Sequence, residues 1–218
     1  MKVEIWSDVI CPWCYIGKRR FEQALALYDG RDDVEVEWKS FELDPTSATT
    51  PQPLADRLAQ KFDVSYDEAV SMNERMTETA AGVGLQFRLD VAQSGNTFDA
   101  HRLIHLAATH GLQGAMKEQL LEGYFSEGRA ISDRDTLVDL AARAGLDADE
   151  ARTALESDRF GDEVRADEQL AAGFGINGVP FFVLDRHYGI SGAQPVEVLL
   201  EALEQAAAES QPVRSSDG

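Results

Sequence analysis

The chain has 218 residues, 44% of them hydrophobic, a composition that supports a globular core and excludes a disordered protein. Its 39 acidic and 20 basic residues give a net charge of −19, which argues against binding to nucleic-acid phosphates or to an anionic membrane surface. There is no apolar run of the ~18 residues that cross a bilayer, and residues 1–6 become charged too early for a signal peptide, so we expect a cytoplasmic protein.

The first forty residues predict a β-α-β unit. Alternating apolar residues at 2–6 predict a strand, and apolar residues at helical spacing predict a helix from Pro12 to about Tyr28. Pro12 suits the first helical position, where a missing N–H is tolerated. Residues 34–38 alternate between apolar and charged side chains and predict a second strand, parallel to the first.

The middle of the chain predicts a helical insertion. Residues 43–53 form a turn-rich loop with three prolines, and almost everything from Leu54 to Phe174 reads as about six helices. Capping-box patterns predict three helix starts, at Ser65 with Glu68, Ser132 with Asp135, and Asp147 with Glu150.

Strand character returns at residues 179–184 and 188–191, before a last amphipathic helix from Pro195 to about Glu209. The sequence therefore predicts an α/β fold, β-α-β … β-β-α, with a large all-helical insertion. We expect one discontinuous domain from residues 1–53 and 175–209, an inserted domain at 54–174, and a disordered tail at 210–218.

Cys11 and Cys14, the two cysteines of the chain, form a Cys-Pro-Trp-Cys motif where the first strand passes into a helix. A CxxC pair in a reducing compartment indicates redox or metal chemistry. The helix N-terminus favours an anion, so we expect Cys11 to be an exposed nucleophile and Cys14, one turn deeper, to be the resolving thiol. Pro12 stiffens the turn, and Trp13 offers an aromatic face to a substrate.

The two cysteines have two other interpretations. They could be inert core residues, although a strand–helix junction is not an apolar helix face. They could form a Cys2His2 metal site with His101 and His105, but the spacing matches no known zinc finger, so we expect no metal. Asp8, close in sequence, would oppose thiolate formation if its charge lay near the sulfurs.

Pro180 interrupts an otherwise regular strand, which indicates an edge position, a bulge or a cis bond. A cis Val179–Pro180 bond would turn the Val179 backbone outward, where it could accept an extended substrate.

Taken together, residues 7–17 (SDVICPWCYIG) and 178–182 (GVPFF) resemble the DsbA-like thioredoxin family, and most closely its FrnE-like cytoplasmic branch with a helical insertion. This resemblance implies a thioredoxin fold, with Cys11 as nucleophile, Cys14 as resolving thiol and Pro180 as the cis-proline. Related members similar to 2-hydroxychromene-2-carboxylate isomerase and kappa-class glutathione transferase carry serine in place of Cys11.

In these relatives a segment similar to residues 96–102 faces the active site. The resemblance therefore makes Asn96, His101 and Arg102 candidates for contacting a substrate or glutathione. The alternative is that Asn96 or Thr97 caps a helix, and that His101 is a surface residue or one whose hydrogen bonds are satisfied within the fold.

Three functions follow from these patterns. The first is a thiol–disulfide oxidoreductase or isomerase acting on a thiol- or disulfide-containing protein or small molecule. The second is a glutathione-dependent isomerase or transferase acting on an aromatic or polyketide-like molecule, and the third is a chaperone or binding module that needs no redox chemistry. We expect no tightly bound cofactor, with glutathione as a candidate co-substrate; a monomer and a homodimer both stay open.

Overall fold

The structure is a computed structural model that describes residues 1–210. Its strands in chain order are β1 (Lys2–Ser7), β2 (Glu35–Ser40), β3 (Gln52–Pro53), β4 (Gln93–Ser94), β5 (Phe181–Leu184) and β6 (Tyr188–Ser191). Four of them form one sheet in the order β2-β1-β5-β6, while β3 and β4 pair separately. β1 is parallel to β2 and antiparallel to β5. The thioredoxin-like α/β fold is thus confirmed, with both ends of the chain in one sheet.

The described residues contain nine α-helices. They are α1 (Pro12–Leu27), α2 (Leu54–Phe62), α3 (Tyr66–Ala81), α4 (Phe98–Thr109), α5 (Gln113–Phe125), α6 (Arg134–Arg143), α7 (Ala148–Glu156), α8 (Gly161–Gly173) and α9 (Val196–Ser210). None of these helices combines the length and apolar character needed to cross a bilayer. Ser210 still belongs to α9, and residues 211–218 of the predicted tail lie outside the described residues.

The expected number of inserted helices was wrong by one, because seven lie between residues 54 and 173. The extra break falls between α7 and α8, where Phe160 adopts a left-handed φ of 64° and residues 157–160 contain no glycine to mark a turn. The short pairing of Gln52–Pro53 with Gln93–Ser94 was also not predicted; it joins the proline-rich loop to the insertion.

Two of the three predicted helix starts are confirmed. Ser65 and Glu68 form a reciprocal capping box at α3, and the Asp147 carboxylate accepts the Glu150 N–H at α7. The start at Ser132 was wrong by one residue, because Asp133 caps α6 by accepting the Thr136 N–H at 2.8 Å.

The central strand β1 is buried on both faces, which fixes the position of the loop that follows it. Val3 and Ile5 belong to the main core, together with side chains of α1 and α9. Trp6 faces the other side, where it packs with Ala171 of α8, and its indole N–H donates to the Asp167 carbonyl at 3.0 Å.

Glu118 on α5 ties the insertion to α1. Its carboxylate accepts hydrogen bonds from Tyr15 at 2.7 Å and Lys18 at 2.5 Å, and also from Arg19. Burial alone would raise the pKa of Glu118, but these donors and the nearby positive charges outweigh it and lower the pKa to about 2. The helix that begins at the CxxC motif is therefore held by charge as well as by apolar packing.

We expect Glu118→Gln to lower the free energy of unfolding by about 2–3 kcal/mol at pH 7, because the folded carboxylate has a pKa well below its ordinary 4.5. This contribution is complete above pH 4.5 and is lost as the pH falls towards 2. Urea unfolding of both proteins between pH 7 and pH 2 should show the difference shrinking on acidification. The control is Glu204→Gln, because Glu204 is exposed. An equal loss of unfolding free energy in both variants would contradict a stabilising role of the Glu118 carboxylate.

Candidate active site

The CxxC motif lies where β1 passes into α1, as its sequence predicts. Cys11 is the N-cap residue with extended backbone (φ −89°, ψ 113°), and Pro12 occupies the first helical turn. The Cys14 N–H donates to the Cys11 carbonyl at 3.0 Å, so the first turn of α1 closes between the two cysteines. This turn places both sulfurs at the positive end of a 16-residue helix.

Both thiols are free and buried, with Cys11 4% and Cys14 1% exposed. The expectation of an exposed Cys11 was therefore wrong. The reason is the loop before β5, whose Val179 carbonyl accepts the Cys11 thiol at 3.6 Å. Burial raises the pKa of the Cys14 thiol well above its ordinary value, and the hydrogen bond and charge of Cys11 raise it further. Cys14 thus keeps its proton in the dithiol form.

The Val179–Pro180 bond is cis, which confirms one of the three interpretations of Pro180. The edge-strand interpretation is wrong, because β5 lies inside the sheet between β1 and β6. The Val179 carbonyl points at Cys11 rather than outward. Gly17 on α1 approaches this loop so closely that a Cβ there would lie 2.9 Å from Pro180 Cγ.

Asp8 lies fully buried behind the motif. Its carboxylate accepts backbone N–H groups from Val9 and Leu43, each at 2.7 Å, and lies 3.3 Å from His101 Nε2. Burial would raise the pKa of Asp8, but His101, the Leu43 N–H and the charge of Lys117 together lower it. A hydrogen bond from the Asp8 backbone also lowers the pKa of Cys14.

Lys117 on α5 is the residue at this site that the sequence analysis missed. It is 1% exposed, its ammonium donates to the Ser7 carbonyl at 3.1 Å, and it lies 5.6 Å from the ring centre of Trp38. Burial lowers the pKa of Lys117 to about 8, and an electrostatic interaction with Cys14 opposes part of this shift. The sequence did contain a signal for its burial. Leu120 and Leu121 follow Lys117 by three and four positions, which places Lys117 on the apolar face of the helix.

The candidate residues Asn96, His101 and Arg102 each make contacts within the protein. His101 is buried against Asp8. Arg102 is buried and donates to Asp99 and to backbone carbonyls of residues 154, 157 and 159. The Asn96 side chain accepts the Phe98 N–H at 2.9 Å, where α4 begins.

The Cys2His2 alternative is wrong. His105 contacts Asp167 at 3.1 Å, while His101 contacts Asp8. Nowhere in residues 1–210 do three or more histidine, cysteine or acidic side chains converge in a way that could hold a metal ion.

An apolar cavity of about 320 Å³ opens beside Pro12 and Trp13. Trp13 is 43% exposed, in agreement with its expected role as an accessible aromatic face. The buried Asn73 also lines the cavity and is one of its few polar residues. Most of the wall is apolar, including Leu54, Leu58, Phe62, Met72, Met76 and Phe125.

Comparison with known proteins identifies the family of the chain. A model of the DSBA-like thioredoxin domain family matches residues 2–204. The chain belongs to this family. The uncharacterized protein YwbO of Bacillus subtilis is 31% identical to the DSBA-like chain over 184 residues, which cover 84% of this chain and 86% of YwbO.

Solved structures show the same architecture. A probable DsbA oxidoreductase from Streptomyces coelicolor is 48% identical, with a TM-score of 0.92 over 98% of this DSBA-like chain and 93% of its own. The cytosolic disulfide reductase DsbM of Pseudomonas aeruginosa, also solved with GSH, is 20% identical, with a TM-score of 0.67 over 96% of this chain and 100% of its own. The helical insertion is therefore shared with DsbA-like oxidoreductases.

We expect Gly17→Ala to lower the free energy of unfolding by about 1–3 kcal/mol, because the new methyl group must displace the Pro180 ring or α1. Gly114→Ala is the matched control, since a Cβ there meets nothing within 4 Å, and it should be neutral or stabilising by up to about 1 kcal/mol. Urea unfolding measures both. Equal changes in the free energy of unfolding of the two variants would contradict the close packing of α1 against the Pro180 loop.

Proposed function

We propose that this DSBA-like protein is a thiol–disulfide oxidoreductase in which Cys11 attacks and Cys14 resolves. The observation that carries the proposal is the position of the two free thiols one turn apart at the N-terminus of α1, with Cys11 facing the loop that contains the cis Val179–Pro180 bond. The family match, which extends over most of the chain, supports oxidoreductase chemistry.

In the first step the Cys11 thiolate attacks one sulfur of a substrate disulfide. A bond forms between Cys11 and that sulfur, the substrate S–S bond breaks, and the second substrate sulfur leaves as a thiolate that takes a proton from water. The free N–H groups of the first helical turn favour the anionic form of Cys11.

In the second step Cys14 gives its proton to water and attacks the Cys11 sulfur of the mixed disulfide. A Cys11–Cys14 disulfide forms, and the first substrate sulfur leaves as a thiolate. Two electrons have then passed from the protein dithiol to the substrate disulfide, and the reverse sequence oxidises a substrate dithiol. The closed first turn of α1 brings the two sulfurs near enough for this attack.

The substrate enters on the Trp13 side of the motif. Cys11 is covered by its contact with Val179, so the incoming sulfur must take the place of the Val179 carbonyl. The apolar cavity beside Pro12 and Trp13 suits a hydrophobic group next to the reacting sulfur, and Asn73 offers that group a hydrogen bond. Such a site favours substrates that carry an apolar side chain or ring beside the disulfide.

Glutathione is the second element of the proposal. The structure of DsbM with GSH shows that a protein of this fold can bind it, and the free Cys11 offers a partner for a glutathione mixed disulfide. The likeness to a cytosolic reductase also favours the cytoplasm, where glutathione keeps thiols reduced. A glutathione-dependent isomerase or transferase is the alternative, and it would not need Cys14.

We expect Cys11→Ser to lose disulfide reductase activity by at least about 100-fold, because serine cannot form the mixed disulfide. Cys14→Ser should instead accumulate the mixed disulfide, since nothing resolves it. Mass spectrometry of the intact protein with a glutathione-linked peptide disulfide measures both results. Full activity of Cys11→Ser would overturn the proposal, whereas full activity of Cys14→Ser with tight glutathione binding would favour the isomerase or transferase.

An equilibrium titration in glutathione redox buffers tests the same site without a variant. We expect a two-electron transition between the dithiol and the Cys11–Cys14 disulfide, with any glutathione adduct on Cys11. Mass spectrometry after alkylation measures each species. Two results together would instead indicate a redox-independent chaperone. The protein would stay reduced across the whole range of buffers, and the double serine variant would still suppress aggregation of a client protein.

A further inference from the structure

The apolar cavity beside Trp13 has a lysine at its edge that is available to bind an anion. Three charged residues line this cavity, namely Asp44, Arg57 and Lys61. Arg57 donates to one carboxylate oxygen of Asp44, and the Thr46 hydroxyl donates to the other at 2.8 Å. Lys61 is exposed, and among residues 1–210 no carboxylate lies within ion-pair distance of its ammonium. The lining of the cavity therefore has one positive charge in excess.

This positive charge is a local feature of a chain whose net charge is −19. In physiological salt, charges on a protein surface are screened beyond about 8 Å, so a ligand in the cavity responds mainly to the residues that line it. On α2, Arg57 and Lys61 are one helical turn apart and both line the cavity, together with Leu58. Asp56, the acidic residue of α2, does not line it. The α2 side of the cavity therefore favours an anion.

The burial of the lining residues shows how a ligand would be oriented. Tyr124 and Phe125 are buried, whereas Trp13 and Phe62 are 43% and 51% exposed. The Lys61 ammonium lies 5.9 Å from the centre of the exposed Phe62 ring. The volume of about 320 Å³ is that of a small-molecule site. An apolar group thus fits between the buried walls, with an attached anion at the exposed edge.

We propose that this cavity selects small thiols and disulfides in which an apolar group next to the sulfur carries a carboxylate, and that Lys61 is the specificity-determining residue that binds this carboxylate. The inference rests on the proposed function, because it names a substrate class for the same dithiol. The bonds that form and break remain those of the two steps described above, in which the substrate disulfide is reduced and the protein dithiol is oxidised.

Both parts of such a substrate are needed. A hydrogen bond between an ammonium and a carboxylate is stronger than one between neutral groups, so a neutral ligand of the same shape loses this contact with Lys61. A small carboxylate without an apolar group leaves the walls formed by Leu58, Met76 and Phe125 unfilled. Glutathione is of this second kind, since it has carboxylates but no large apolar group. It would react at Cys11 without filling the cavity.

Binding is tested first with thioethers, which cannot exchange with a thiol. The three probes are para-(methylthio)benzoate, its neutral amide, and methylthiopropionate, which has the carboxylate but no ring. Trp13 lines the cavity while Trp6 and Trp38 are buried, so tryptophan fluorescence reports binding there. We expect the benzoate to bind at least about threefold more tightly than the amide, as an exposed ion pair allows. Methylthiopropionate should not bind at the same concentrations.

Lys61→Gln should weaken binding of the benzoate by about threefold and leave binding of the amide unchanged. The matched control is Arg75→Gln, which changes the net charge equally, because Arg75 is exposed on α3 and does not line the cavity. This control should bind both probes as the wild type does. Equal affinities of the wild type for benzoate and amide, or equal effects of the two variants, would overturn the inference. A fluorescence change that persists in Trp13→Phe would also overturn it.

Stopped-flow mixing with para-dithiobis(benzoate) and with its diamide then tests the reaction. Each rate of mixed-disulfide formation at Cys11 is divided by the wild-type rate for the same disulfide, so that the different leaving groups cancel. Lys61→Gln should react about threefold more slowly with the dicarboxylate and at the wild-type rate with the diamide. Equal effects on both disulfides would overturn the inference and leave the proposed function intact. Preferred binding of the benzoate without any reaction at Cys11 would instead refute the proposed function and keep Lys61 as a carboxylate-binding residue.

Discussion

The site depends on one packing contact, where the first turn of α1 lies against the loop before β5. Cys11 reaches the Val179 carbonyl, and Gly17 leaves just enough room for Pro180. These residues are far apart in sequence and meet because β1 and β5 are neighbours in the sheet. The strand pairing therefore sets the surroundings of the sulfurs, and the CxxC motif alone does not.

Burial then gives the two cysteines different chemistry. In a medium of low polarity a fixed charge acts strongly on its neighbours, and an uncompensated charge is costly. Cys14 is enclosed and holds its proton, while the Asp8 carboxylate and the Lys117 side chain are buried nearby. Lys117, and His101 that contacts Asp8, both lie on helices of the insertion, so the insertion contributes directly to the surroundings of the dithiol.

The sequence predicted those features whose signals are local. The strand alternation, the helix that begins at Pro12 and the helix caps at Ser65 and Asp147 all depend on residues a few positions apart. At Ser132 the local signal was ambiguous, because Asp133 is an equally good capping residue. The break at Phe160 could not be seen, since a non-glycine residue adopts the left-handed conformation there.

The burial of Cys11 and the position of Lys117 lie beyond this kind of reasoning. Each depends on contacts between segments more than one hundred residues apart, the first with Val179 and the second with Ser7. A lysine is also normally assigned to the surface, and the apolar pattern around Lys117 was a weaker signal than its charge. The cis bond at Pro180 was among the predicted alternatives. The edge-strand alternative could be excluded only from the structure, which places β5 inside the sheet.

The order of the strands has a consequence for biosynthesis. A ribosome releases β1, the CxxC motif and β2 early, but the strand that flanks β1 on its other side and the loop that covers Cys11 follow some 168 residues later. At translation rates of about 5–20 residues per second, this interval is on the order of ten to thirty seconds. Until then the nascent dithiol has no cover, so the shielding of its sulfurs is among the last features of the protein to be acquired.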